Sequence, residues 1–192
     1  MNIKHIIAGV VTSAILAGCS MSPKMPTAPT PDSVEDIQAW QTEGRVGIRT
    51  DSDAISGNFN WSHTKEFYEL NIYGPFGQGA TRLEGTPGSE ATLSYEDKVQ
   101  VGPSAEALLY HELGWHFPVT NVQYWIRGLA APNTAAEIEY REDGTPEQII
   151  QDGWTISYKE FTNVDTLKLP QRMQVTHTPY RVNLIITDWA VQ

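Results

Sequence analysis

The most suggestive catalytic spacing in the chain is His111-Glu112-Leu113-Gly114-Trp115-His116, one residue longer than the HExxH of zinc hydrolases. Two ligands share a helical face when four residues apart; five residues turn about 500° and leave the imidazoles about 140° apart around the axis. Gly114 weakens a helix there as well, so no metal site is expected. A nucleophilic site fares no better. No Gly-x-Ser-x-Gly elbow occurs, and the glycines of GPFGQGA at 74–80 have neither the following helix nor the lysine of a phosphate loop. Glu142 and Asp143 sit in an EDG turn and read as solvated turn carboxylates. No active site assembles, no cofactor is expected, and the chain reads as a non-enzyme.

The residue whose chemistry stands out is Cys19, the single cysteine, preceded by Leu16-Ala17-Gly18. An aliphatic residue and two small ones before a thiol suit a processing site that accepts a diacylglyceryl thioether. Upstream, Lys4 and an apolar run from Ile6 to Leu16 complete a secretion signal, too short to span a bilayer. Residues 1–18 are therefore expected to be removed and Cys19 to become the lipid-bearing first residue. At about 0.8 kcal/mol per buried CH₂, multiple acyl chains anchor effectively permanently. Ser20, where Asp commonly retains lipoproteins at the inner membrane, points to the outer membrane, with the domain facing the periplasm.

The elements that follow must form one domain on a tether. Residues 19–31 include SMSPKMPTAPTP, four prolines without apolar periodicity, and read as a flexible spacer. Residues 32–192 read as a single domain. Its formal charge is acidic, −10 for the full chain, and no Lys/Arg run occurs, which argues against nucleic acid and anionic lipid as partners.

Val34, Ile37 and Trp40 are spaced for one face of a short helix capped by Asp32 or Ser33. From Gly44 the period becomes two: Val46 and Ile48 alternate with Arg45 and Arg49, then Phe59 and Trp61, then Tyr68, Leu70 and Ile72. Further strands are expected at 81–85, 91–95, 98–101, 137–141, 147–151, 154–160, 172–176 and 181–189, about eleven in all. Helix formers at 104–113, closed by Gly114, and a second helix near 120–127 interrupt them. A mainly β fold follows: an unclosed, half-barrel antiparallel sheet whose two short helices cover its interior.

Six tryptophans and eight tyrosines, many on the inward phase, would line a concave apolar chamber suited to acyl chains. Strand phase and helix face select Val46, Ile48, Trp61, Leu70, Ile72, Trp125, Trp154, Ile156, Leu184 and Ile186 as cavity candidates. In Tyr73-Gly74-Pro75-Phe76-Gly77-Gln78-Gly79, Gly74, Pro75 and Gly77 place Phe76 at a turn tip, where it can fold back on the core or probe a membrane.

Several stretches together carry a family resemblance: the lipobox, Trp40-x₃-Gly44-Arg45, Trp61, ELNIYGPFG at 69–77, PVTNVQYWIRGL at 118–129, QDGWTISY at 151–158, LP at 169–170 and VNLIITDW at 182–189. The chain resembles the LolB family over essentially its whole length. The resemblance implies an outer-membrane receptor that takes lipoproteins from the periplasmic carrier LolA, shelters their acyl chains in a hydrophobic cavity and inserts them into the outer membrane. It also implies an apolar residue, usually Leu, in a protruding loop; here that position holds Phe76. An acidic surface would suit a carrier with a basic rim, and a monomer is expected. The alternative from another class is a structural lipoprotein that scaffolds an outer-membrane complex and has a packed interior.

Overall fold

The computed structural model describes residues 31–192; the signal segment, Cys19 and the spacer up to residue 30 lie outside the described residues. The chain runs through β1 (Trp40–Arg49), β2 (Ala54–His63), β3 (Tyr68–Tyr73), β4 (Thr81–Gly85), β5 (Ala91–Tyr95) and β6 (Lys98–Gly102). Two helices follow, α1 (Ala105–Leu113) and α2 (Val119–Trp125). The chain then returns through β7 (Ala136–Tyr140), β8 (Pro146–Gln151), β9 (Trp154–Val164), β10 (Leu167–His177) and β11 (Tyr180–Val191).

All eleven strands form one sheet in the order β6-β5-β4-β3-β2-β1-β11-β10-β9-β8-β7. Two antiparallel meanders, β1 to β6 and β7 to β11, are joined where β1 pairs with β11. The outer strands β6 and β7 do not pair with each other, so the sheet is an unclosed barrel, and the helices connect its two free edges. Among the described residues no helix is long and apolar enough to cross a membrane.

Cross-strand rows hold the concave face in register. Trp61 stands opposite Leu70, Leu70 opposite Leu83, and Leu83 opposite Leu93. Near the middle of the sheet, opposite Glu43 and Gly44 of β1, β11 carries a bulge with Thr187 as the extra residue. Only glycine fits opposite it, because a Cβ on Gly44 would lie 2.0 Å from the Ile185 carbonyl oxygen. Extra residues of this kind bend a strand and help the sheet to curl.

Helix α1 forms as its caps dictate. Ser104 Oγ accepts from the Ala107 N–H at 3.1 Å. At the other end Gly114 adopts φ +71° while its N–H and that of Trp115 return to the Tyr110 and Leu109 carbonyls, a stop on a left-handed glycine. The helix packs on β4, β5, β6 and α2. Gly102 permits the approach, since a Cβ there would meet the Leu108 side chain at 2.8 Å.

The helix expected over Val34, Ile37 and Trp40 does not form. Residues 33–36 make a turn, with Asp36 N–H donating to the Ser33 carbonyl at 3.2 Å. The C-terminal Gln192 carbonyl then takes the Gln38 and Ala39 N–H groups, and the Gln192 N–H returns to Ala39. Pairing with the chain's last strand outcompetes local helix bonds, yet Ile37 and Trp40 are still buried.

Candidate functional site

The interior is not uniform. Beneath α1, on the side of the sheet made by β1 to β5 and β11, lies an apolar cavity of about 320 Å³. Its floor is the row Trp61, Leu70, Leu83 and Leu93 with Phe59 and Ile72, and its roof is Leu109 and Leu113 of α1 and Val119 and Val122 of α2. Trp115 and Phe117, from the linker between the helices, close one side. A space of this size falls at the lower end of the roughly 300–1,000 Å³ usual for small-molecule sites, and its lining offers an alkyl chain little but carbon.

Five of the ten cavity candidates, Ile48, Trp61, Leu70, Ile72 and Leu184, line this space. The other five, Val46, Trp125, Trp154, Ile156 and Ile186, are buried but do not line it. Their inward phase is the same; what differs is the filling. On the side made by β8 to β10, the end of α2 and the segment after it occupy the interior. Gly128 is near enough to Pro146, Phe161 and Pro170 that a Cβ there would meet all three at 3.5–3.7 Å. Trp125 Nε1 donates to Gln151 Oε1 at 2.8 Å, and Tyr158 Oη donates to the Trp125 carbonyl at 2.7 Å. Trp154 is enclosed by the rings of Phe117, His177 and Tyr180.

Lining residues not singled out from the sequence include Leu83, Leu93, Leu109, Leu113, Trp115 and Tyr180. Leu83 and Leu93 sit at the centres of alternating five-residue strands, and Leu109 and Leu113 share one helical face, so periodicity could have added these four. Trp115 lies in irregular chain, where period carries no information.

The rim of the cavity includes Tyr73, Gly74, Gln78 and Gly79, so the loop between β3 and β4 is built into its mouth. Gly74 N–H donates to the Gln78 carbonyl at 2.8 Å, Gly77 N–H to the Gly74 carbonyl at 2.9 Å, and Phe76 N–H to Gln78 Oε1 at 3.0 Å. Gly77 and Gly79 take φ of +79° and +62°, which suits residues without a Cβ. These bonds hold Phe76 outward, 93 % exposed. Pro75 precedes it at the tip. A second close approach steadies the loop's base, where a Cβ on Gly57 would meet the Tyr73 carbonyl oxygen at 2.5 Å.

The polar motifs serve structure. Tyr95 Oη donates to Glu112 Oε2 at 2.7 Å, tying α1 to β5. His116 lies beyond the Gly114 stop, with its ring 4.4 Å from that of Tyr110 and its N–H on Tyr180 Oη. Asp143 accepts from Lys168 Nζ and from the Thr145 N–H and hydroxyl, and these bonds, Lys168 first, hold its carboxyl well below the usual carboxylate range.

An open antiparallel sheet wrapped round an apolar chamber defines the class: this is the fold of the LolA superfamily. A crystal structure of a LolA superfamily protein from Nitrosomonas europaea superposes with a TM-score of 0.53 at 9 % identity, covering 82 % of this chain and 87 % of that one. The family model described as outer membrane lipoprotein LolB matches residues 38–189. An outer-membrane lipoprotein LolB of Marinomonas sp. is 54 % identical over 181 residues, 94 % of each chain. Another, of Chromohalobacter salexigens, is 37 % identical over 94 % of this chain and 88 % of its own. The chain belongs to the LolB family of outer-membrane lipoproteins, a family of lipoprotein transport and not of enzymes.

Proposed function

We propose that the chain, anchored in the outer membrane through lipidated Cys19 and tethered by residues 19–31, acts as a monomer facing the periplasm. It accepts lipoproteins from a LolA-like carrier, takes their acyl chains into the cavity over Trp61, Leu70 and Ile72, and inserts them into the membrane. The observation that carries this reading is the shared construction of cavity and loop: residues that form the cavity rim also hold Phe76 out in solvent. An exposed aromatic at that rim gains roughly 1.5–3 kcal/mol on entering apolar surroundings, enough to bias the mouth toward a bilayer without fixing it there. Hand-over between apolar chambers needs no nucleotide if the acceptor binds the chains more tightly than the donor. The acidic surface favours approach of a basic carrier rim, an attraction that salt weakens. The packed-interior alternative predicts no space under α1, and the cavity of about 320 Å³ supports the transfer reading instead.

Mixing a cargo-loaded LolA-type carrier with the full chain bearing Cys19→Ser tests receipt: cargo should move to this protein in the absence of ATP. With the lipidated protein in liposomes, Phe76→Glu should still accept cargo and remain folded, while delivery into the bilayer falls by tenfold or more. Delivery at the normal rate would rule out Phe76 as the membrane probe.

A further inference from the structure

The antiparallel topology gives the barrel two distinct ends. The loop carrying Phe76 joins β3 to β4 and lies at one end; the turns joining β2 to β3 and β4 to β5 lie at the other. At that other end is a second cavity, of about 90 Å³, with a different lining. His63, Tyr68, Ser89, Glu106, Thr120 and Gln123 bring it a larger share of polar groups than the large cavity has, and Ser89 and Thr120 are at the surface. Trp61 and Val119 line both this cavity and the large apolar one, and so form the wall between them.

Two atoms of this wall region are unpaired. Trp61 Nε1 and His63 Nε2 are buried and have no hydrogen-bond partner, and Trp61 as a whole is only 4 % exposed. Gln123 lies close enough to favour a charged His63; its amide nitrogen donates to the Thr120 carbonyl at 2.7 Å, and its oxygen makes no hydrogen bond of good geometry with Nε2. A buried donor left without an acceptor costs about 1–3 kcal/mol, so the arrangement calls for an acceptor. Nε1 is sealed and the ring packs edge-on against Trp40 at 5.1 Å, so presenting the donor to an acceptor requires a shift of the Trp61 ring, which would also open the wall.

We propose that this small cavity is a port for the glycerol-ester end of an acyl chain, with Trp61 Nε1 donating to the ester carbonyl and the hydrocarbon running through the large cavity toward the Phe76 loop. The inference rests on the acyl-chain reading of the large cavity and adds a direction to it. The polar end leaves the protein beside Ser89 and Thr120, where a tethered peptide has room, and the methyl end faces the membrane-seeking rim. Tails then leave first.

The test uses the full chain with Cys19→Ser and two probes, 1-monopalmitoylglycerol and its ether counterpart 1-O-hexadecylglycerol, which lacks the carbonyl. Trp61→Phe keeps most of the ring and removes the donor. Both probes lose the same ring contact with the cavity floor, and the ester should weaken about three- to tenfold more than the ether, the worth of one neutral hydrogen bond. Equal effects on both, or none, would mean that the wall meets only water or carbon and would overturn the port. Failure of either probe to bind the unsubstituted chain would instead strike at the cavity reading itself. Should Trp61→Phe not fold, direction is read in a Trp115→Phe chain, which leaves Trp61 as the one indole lining the large cavity: quenching of indole fluorescence should be stronger with bromine at carbon 2 of the acylglycerol than at carbon 16, and the reverse order would sink the proposal. An S-diacylglyceryl-cysteine peptide, run in parallel, assigns the port to cargo if its affinity also falls in Trp61→Phe, and to free acylglycerol if it does not.

Discussion

Individual side chains divide the interior into a filled and a hollow part, and Gln151 shows how the filled part is held. Its amide accepts from Trp125 Nε1 and the Ala131 N–H and donates to the Ala131 carbonyl and to Thr134. At 1 % exposure it is a polar group fully satisfied in the core. Gln151→Leu keeps the volume but orphans several of these partners, and should lower unfolding free energy by about 3–5 kcal/mol in urea titrations. His63 makes the opposite bargain. Stacked on Trp40 and Tyr68, it is held at a pKa of about 4, against an ordinary 6.5, chiefly by burial and further by the Arg127 guanidinium. The unfolded chain therefore takes up the proton first as pH falls. Stability should be intact above about pH 6.5, decline toward pH 4 and stay reduced below. Thermal melts of His63→Phe should lack this component between pH 7 and 5; an unchanged pH slope would mean that the ring is not held neutral.

Elements depend on a few close approaches that tolerate no side chain. Gly44 faces the β11 bulge where β1 meets β11, the seam joining the two meanders. Gly44→Ala forces a methyl onto the Ile185 carbonyl, a contact with backbone that cannot swing aside. It should cost about 3 kcal/mol, visible as a lower denaturation midpoint, whereas Gly47→Ala, with nothing within 4 Å, should be close to neutral. Helix α1 is a different kind of element, a cover more than a strut. It is fastened at separate points by Tyr95 to Glu112 and by Thr120 to Glu106, bonds at or near the surface that can be exchanged for water.

For the molecule as a whole, the hollow half should behave as a ligand reservoir coupled to stability. A fatty-acyl ligand at about 100 times its Kd adds about 2.7 kcal/mol to the folded state. For a chain of this size that raises Tm by roughly 5–10 °C. A melting temperature indifferent to saturating ligand would show that the space under α1 does not take acyl chains. The two ends of the barrel differ in geometry: an apolar rim with an exposed ring at one, a small cavity of mixed polar and apolar lining at the other.

Much of the architecture was legible in the residues because it follows from short-range rules. Period two set the strands and their inward phase, Ser104 and Gly114 set the limits of α1, and the glycines around Phe76 set a turn. Where the rules stopped, longer-range pairing decided. Val34, Ile37 and Trp40 have helical spacing, yet the chain is extended there because Gln192, from the far terminus, claims its N–H groups. The division between filled and hollow is the clearest case. Trp61 and Trp154 have the same phase and similar burial, but one lines the cavity and the other does not. Alternation states only which way a side chain points; whether it meets another side chain or empty space depends on where α2 and the segment after it settle, and that placement is a property of the packed molecule alone.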